Sequence, residues 1–330
     1  MKQHLLFGLI VLLLLILLPL VVFSGQLSVD RGEGLPAQTP MTTRAAQALP
    51  PAELSGETVS VLRTISGQVE TIGMEEYLVG VVAAEMPAAS HEEALKAQAV
   101  ASYTYARYRL EIAGKDSLSD SGASDQGYIS DTERREKWGG SYSAYEEKIE
   151  KAVKAVSGQI ITFEGQPIFA AYHAVSGGRT ESASVYWGRD YSYLRSVDSA
   201  GDKLSPGYSE TITLTVGEMK AALKQFGDVK LKDDPAKWFG KPERSAAGTV
   251  TEIEVGGEDL TGRQVREALG LRSANFEITY DDGKEGGFKI KCIGYGHGVG
   301  LSQHGADFMA RQGAGYKEIL EHYYTGCEIK

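Results

Sequence analysis

The run LLFGLIVLLLLILLPLVVF, Leu5–Phe23, holds nineteen residues without a charge and splits the chain into two materials. Wound as a helix rising about 1.5 Å per residue, it nearly matches a hydrocarbon core about 30 Å thick. It is apolar on every side, so a bilayer covers it where a single packing face in water would not. A cleaved signal peptide has an apolar stretch of roughly 7–15 residues ending in an A-x-A-like site. This run instead leaves through Ser24 and Gly25. Residues 1–24 are therefore expected to be a short cytoplasmic tip and an uncleaved transmembrane anchor. Lys2 and His4 precede the span and Asp30 is the first charge after it, which places the remainder outside. The expected location is the cell membrane, single-pass, with the main domain extracytoplasmic.

Residues 25–56 are rich in Pro, Ala, Thr and Gly and lack apolar periodicity, as a flexible linker should. Residues 57–330 then form the outer domain, within which 209–285 could be an insertion or sub-domain. Its patterning predicts an α+β class of mixed helices and antiparallel strands. TVSVLRT and GQVETI alternate about Ser66-Gly67 as a hairpin. Met74 to Glu85 is periodic as a helix that must end before Pro87, because proline disfavours the α conformation in its predecessor. Ser90 and Glu93 have capping-box spacing ahead of EALKAQAVASYTYARYRLEIA. Residues 113–143 are Ser, Gly and Asp-rich and predict a loop. AYEEKIEKAVKAV predicts a helix, and QIITF with PIFAAY a strand pair. Thr215 and Thr261 open further capping boxes. TITLT, TVTEIEV, FEITY and GFKIKCI predict strands, and the C-terminal stretch two short helices.

A net charge of −10, from 34 Lys+Arg against 44 Asp+Glu, argues against a nucleic-acid binder. Cys292 and Cys327 are too few for a disulfide scaffold or a four-cysteine zinc site; a bridge between them and two free thiols both stay open. Zinc through His173, His297 and His304 lacks a close pair at ligand spacing. Ser-His chemistry around AYHAVSGGRT lacks a G-x-S-x-G elbow and an assignable acid.

Glu85 is the carboxylate that invites chemistry. It stands in VGVVAAEMPAA, with no other charge between Glu76 and His91. Apolar surroundings and the negative end of a helix dipole both favour its protonated form, as a general acid requires. A helix-end glutamate pointing into water is the plain alternative. GYGHGVGLSQHGA, residues 294–306, is the second concentration. Its glycines let backbone approach a neighbour closely, and His297, Ser302, Gln303 and His304 could hold a polar ligand at a helix start.

VVAAEMPAASHEEALKAQAVASYTYA, HAVSGGRTESASVYW and GHGVGLSQHGADFMARQGAGYKEILEHYYTGCEI resemble, in order, the three recurring blocks of the stage II sporulation protein D family. That resemblance spans roughly residues 57–330. It implies a membrane-anchored lytic transglycosylase that cleaves the MurNAc–GlcNAc β-1,4 bond of peptidoglycan, with denuded glycan as the implied substrate and Glu85 as single general acid and base. It further implies Lys96, His173, Ser176, Tyr193 and His297 as cleft residues beside Ser302 and Gln303. Tyr103, a further candidate substrate contact, stands where many relatives carry Arg. Some relatives hold zinc in the loop before a Q-x-Y motif; here DSGASDQGY has no Cys or His, so no metal and no cofactor is expected. Implied partners are glycan strands, a stage II sporulation protein P-like amidase and a stage II sporulation protein M-like membrane protein. The alternative is a non-catalytic wall-binding enhancer of an amidase.

Overall fold

Strand alternation in TVSVLRT and GQVETI produces β1 (Thr58–Arg63) and β2 (Gln68–Gly73), antiparallel with Thr58 opposite Gly73 and Arg63 opposite Gln68. The computed structural model describes residues 54, 56–227, 229–283 and 286–330. The expected anchor and nearly all of the expected linker lie outside these residues. Among the described residues no helix is long and apolar enough to cross a membrane.

Helix α1 (Met74–Glu85) follows β2 directly and buries Met74, Tyr77, Leu78 and the run from Val79 to Ala83. It ends where Pro87 requires, Met86 being extended at φ −120° and ψ 148°. Helix α2 (Glu92–Arg107) continues as a π-turn over Tyr108–Ile112. Its N-cap is His91, whose Nδ1 accepts from Glu93 N at 3.3 Å, so the expected Ser90 capping box does not form. Ser90 N is already spent on Pro87 O in a turn that delays the helix by one residue. Glu93 meanwhile accepts from Lys96 and from Tyr316 N.

The segment expected as a loop holds β3 (Leu118–Ser119), parallel to β1, and α3 (Asp131–Trp138). The latter opens on a full capping box between Ser130 and Glu133. Helix α4 (Tyr142–Ala155) completes a layer in which α2 packs on both α1 and α4. Alanines 94, 97, 99, 101 and 106 on α2 are buried, and their small size suits helix-to-helix contact. Strands β4 (Ile161–Phe163) and β5 (Gln166–Pro167) pair as expected. The remainder of PIFAAY turns instead into β6 (Tyr172–His173), followed by α5 (Ala183–Trp187).

Strand β7 (Ser209–Thr215) and helix α6 (Val216–Leu223) begin a second group of elements. It continues through β8 (Glu243–Arg244), β9 (Val250–Val255), β10 (Glu258–Leu260), α7 (Gly262–Leu269), β11 (Phe276–Asp281) and β12 (Gly287–Ile293). Both capping boxes form, Thr215 with Glu218 and Thr261 with Gln264. The strands make two antiparallel sheets, ordered β11-β12-β7 and β10-β9-β8. They enclose their own apolar cluster, including Met219, Trp238, Ile253, Val265, Phe276 and Phe288. The chain then returns: β13 (Leu301–Ser302) lies parallel to β6, α8 (Gln303–Arg311) and α9 (Tyr316–Tyr323) pack on α2, and β14 (Glu328–Ile329) closes on β4. The class is α+β. Cys292 and Cys327 are free thiols.

Candidate active site

Glu85 is the last residue of α1, carried to the edge of the buried layer by a helix packed almost all round. The loop 120–130 crosses α1 at Gly80, where Ile129 N donates to Gly80 O at 3.4 Å. A Cβ on Gly80 would lie 2.4 Å from the Tyr128 ring and 2.5 Å from Ile129 O, so only glycine admits this crossing. The crossing delivers Gly127 N to Glu85 Oε1 at 2.6 Å.

Buried ties hold that loop in place. Asp125 accepts from Arg109 Nη2 at 2.9 Å, Lys115 Nζ at 3.0 Å and Ser119 N at 2.9 Å. Gln126 donates to Tyr77 Oη at 3.1 Å and Ser102 O at 3.3 Å, and accepts from Tyr172 Oη at 3.0 Å. Gln98 donates to Ser102 Oγ at 2.9 Å and accepts from Gln303 at 3.2 Å. The side chains of Gln126, Gln98, Ser102, Tyr77 and Tyr172 therefore form a neutral polar network beside the carboxyl, which fixes their positions.

Burial pushes the Glu85 carboxyl above the usual carboxylate range. The Gly127 N–H, the Gln303 and Tyr172 side chains within hydrogen-bonding reach, and the charge of Lys137 oppose this without cancelling it. The side chain is half-buried, crowded by protein yet open to solvent at one side. Lys137 Nζ donates to Ala83 O at 2.8 Å, closing a carbonyl in the last turn of α1.

Of the residues expected to line the cleft, Gln303 meets Glu85. His173, Ser176 and Ser302 gather instead around Asp202, which is fully buried. Asp202 accepts from Ser176 N at 2.8 Å, Ser199 Oγ at 3.0 Å and Ser302 Oγ at 2.7 Å. Ser302 also caps α8 by accepting from Gly305 N. His173 is buried and donates from Nδ1 to Val299 O at 3.1 Å; burial lowers its pKa and Asp202 partly restores it.

His297 packs 4.9 Å from the Trp187 ring and 5.8 Å from His173. Its Nδ1 accepts from Val299 N at 3.0 Å, so its proton sits on Nε2, toward the Tyr172 carbonyl. Burial, with the charges of His173 and Arg266, pushes its pKa well down and keeps the ring neutral. Tyr193 Oη accepts from Phe169 N at 3.1 Å. Tyr103 donates to Glu57 at 2.9 Å and accepts from Arg107 at 2.8 Å. Lys96 pairs with Glu92 at 3.0 Å and Glu93 at 2.8 Å. These last three brace the scaffold and make no contact with Glu85.

Gly127, Gln126, Tyr172, Lys137 and Asp202 are site or supporting residues that sequence reasoning passed over. The Q-x-Y motif at Gln126–Tyr128 was the one available signal. Among the described residues no group of three or more His, Cys, Asp or Glu could hold a metal ion.

A helix-end carboxyl with raised proton affinity, with neutral amides beside it, is a group suited to giving and taking a proton. A family model described as Stage II sporulation protein matches residues 63–163. The chain is 39% identical to Stage II sporulation protein D of Bacillus amyloliquefaciens over 98% of this chain and 94% of that protein. It is 38% identical to the protein of that name from Bacillus subtilis (strain 168), covering 100% of this chain and 96% of the relative. An Amidase enhancer of Bacillus subtilis (strain 168) is 26% identical over 76% of this chain and 40% of its own length. The chain belongs to the stage II sporulation protein D family.

Proposed function

We propose that this chain is a peptidoglycan lytic transglycosylase acting in cell-wall remodelling during sporulation, with Glu85 as its only catalytic carboxyl. The observation that carries this reading is a protonation-prone Glu85 whose strongest influences include no second carboxylate. Most glycosidases need two carboxyl groups, because water must be activated or a covalent intermediate formed. A lytic transglycosylase needs one. Glu85 gives its proton to the glycosidic oxygen as the MurNAc C1–O bond breaks. The sugar's own 6-hydroxyl oxygen then bonds to C1, and its proton returns to Glu85. No water enters, and the product ends in 1,6-anhydroMurNAc. A half-open site suits a proton that leaves and returns to the same carboxyl.

In the same proposal, residues 1–24 anchor the chain in the cell membrane and residues 25–56 tether the catalytic domain on the outer side. The substrate is glycan already stripped of stem peptides, so an amidase is the natural partner, with a second membrane protein completing the assembly. The similarity to an amidase enhancer favours a second reading, in which the chain binds wall and stimulates an amidase without cutting glycan.

Product analysis separates the two. The full-length chain in detergent, incubated with amidase-stripped glycan, is expected to release anhydro-ended fragments by mass spectrometry. Fragments heavier by one water would overturn the mechanism; no fragments, with enhanced amidase activity, would favour the second reading.

Gly127→Ala tests the same geometry from the loop side. The added Cβ would fall 2.9 Å from Glu85 Oε1 and 3.4 Å from Ala84 Cβ, displacing the carboxyl. Cleavage should slow roughly tenfold to hundredfold, read as kcat, with glycan binding little changed. An unaltered kcat would remove Gly127 from the site.

A further inference from the structure

Arg266 on α7 makes no ion pair among the described residues, in a chain of net charge −10. The other arginines nearby in sequence are committed: Arg263 to Glu267 at 2.7 Å and Arg272 to Glu210 at 2.8 Å. Arg266 is half-buried and held by neutral acceptors, Nε donating to Leu271 O at 3.2 Å and Nη1 to Tyr186 Oη at 2.6 Å. Nη2 makes no hydrogen bond among the described residues. A guanidinium held in this way has one amino edge left over, and a carboxylate suits its fork geometry.

The surface beside it is aromatic. Tyr186 and Trp187 end the short helix α5, and their rings lie 5.9 Å and 4.9 Å from that of His297. All three are half-buried. Both His297 nitrogens are occupied by backbone, so the ring offers apolar surface and not a polar contact. Tyr172 joins this wall to the site already described: its carbonyl takes the His297 proton while its side chain reaches Glu85. Aromatic walls bind the apolar faces of sugar rings, and the arginine adds a demand for negative charge at one end.

We propose that Arg266, Tyr186, Trp187 and His297 form a subsite for a sugar bearing a free carboxylate, which makes Arg266 a specificity-determining residue. The inference rests on the glycan reading above. A muramic acid unit carries its lactyl group as an amide while a stem peptide is attached, and as a free anion after the peptide is removed. Peptide removal therefore creates one negative charge per disaccharide. A guanidinium without an ion pair among the described residues, beside a ring-binding wall, distinguishes the stripped strand by that carboxylate, so a preference for denuded glycan comes from recognition as well as from relieved bulk.

The test uses the full-length chain carrying Glu85→Gln, in detergent, so that bound glycan is not consumed. Two tetrasaccharide probes are compared, one with free lactyl carboxylates and one with the same groups converted to carboxamides. The free-acid probe should bind about tenfold tighter, as one partly exposed charge-assisted contact would give. Arg266→Gln should bring the two affinities level, and Arg266→Lys should keep part of the difference. If the Gln variant does not fold, the Lys variant carries the comparison, with reduced preference and unchanged affinity for the amide probe. Equal binding of the two probes with Arg266 in place overturns the subsite, as does a preference that survives Arg266→Gln. Binding of neither probe overturns it too. If the chain with Glu85 intact also yields no anhydro ends, the glycan reading itself falls, so the two failures are distinguishable.

Discussion

Glu85→Gln should lower kcat for glycan cleavage by roughly 10²–10⁴-fold, the range one general acid supplies, without destabilising the fold. Gln retains an oxygen for Gly127 N, which sits 2.6 Å from Glu85 Oε1. The stability comparison has a definite sign. The folded carboxyl holds its proton more tightly than the unfolded chain does, because burial raises its pKa. Its contribution to stability is then full below the unfolded value and is lost as pH rises through the raised folded value. Gln does not titrate, so the variant's thermal midpoint should gain on that of the unaltered chain as pH climbs from acid to neutral. The kcat/KM of the unaltered chain should fall over the same rise, as Glu85 ionises. A variant that is inactive but no better placed at neutral pH would mean that Glu85 is not desolvated.

Arg134→Met should destabilise the protein by about 3–5 kcal/mol, lowering the thermal midpoint by about 10 °C. The Arg134 side chain is 1% exposed. Nε donates to Glu146 Oε2 at 2.9 Å and Nη2 to Glu146 Oε1 at 2.8 Å, a two-pronged pair between α3 and α4. Nη2 also reaches Glu76 on α1 at 2.8 Å, and Nη1 reaches Ile129 O at 3.0 Å. Methionine strands Glu146 as a buried carboxylate without a partner, and this accounts for most of the loss. The double variant Arg134→Met with Glu146→Leu should recover much of it. Failure of the double variant to exceed the single one in midpoint would shift the explanation to packing. Because Ile129 sits on the loop that presents Gly127, the single variant should also cleave glycan more slowly even where it is fully folded.

The sequence revealed whatever is written locally. Glu85 stood out because VGVVAAEMPAA contains no competing charge, and Pro87 fixed where its helix must stop. The boxes at Thr215 and Thr261 were legible because both partners lie within one helical turn. Ser90 had the same spacing and failed, because a turn to Pro87 claimed its backbone and His91 took the cap. Capping chemistry depends on the approach of the preceding chain, which the spacing does not encode.

The remainder of the site was hidden for a related reason. Gly127 meets Glu85 only because the loop crosses α1 at Gly80, and the two residues are 42 positions apart. Tyr172 reads as a strand residue, and only the fold brings its side chain to Gln126. Asp202 sits in a short 3-10 turn, Ala200–Leu204, among small and polar residues that resemble any surface loop. Conversely, His173, Ser176 and Ser302 have the residue types expected of a substrate site, yet they meet around that buried carboxylate. Histidines and serines near glycines serve architecture as readily as chemistry.

The convergence on Asp202 ties function to the order in which the chain is made. The carboxyl donor is complete once residue 85 exists, but Gln303 arrives more than two hundred residues later. It is seated by a helix that Ser302 caps while bound to Asp202. The last strand, Glu328–Ile329, then pairs with Ile161 and Thr162 near the middle of the chain. A nascent or truncated chain therefore holds its acid without the wall that orients it. Under the proposed function, a chain cut short before Gln303 would keep its acid but lose the amide beside it, so the site is completed only by the last tenth of the sequence.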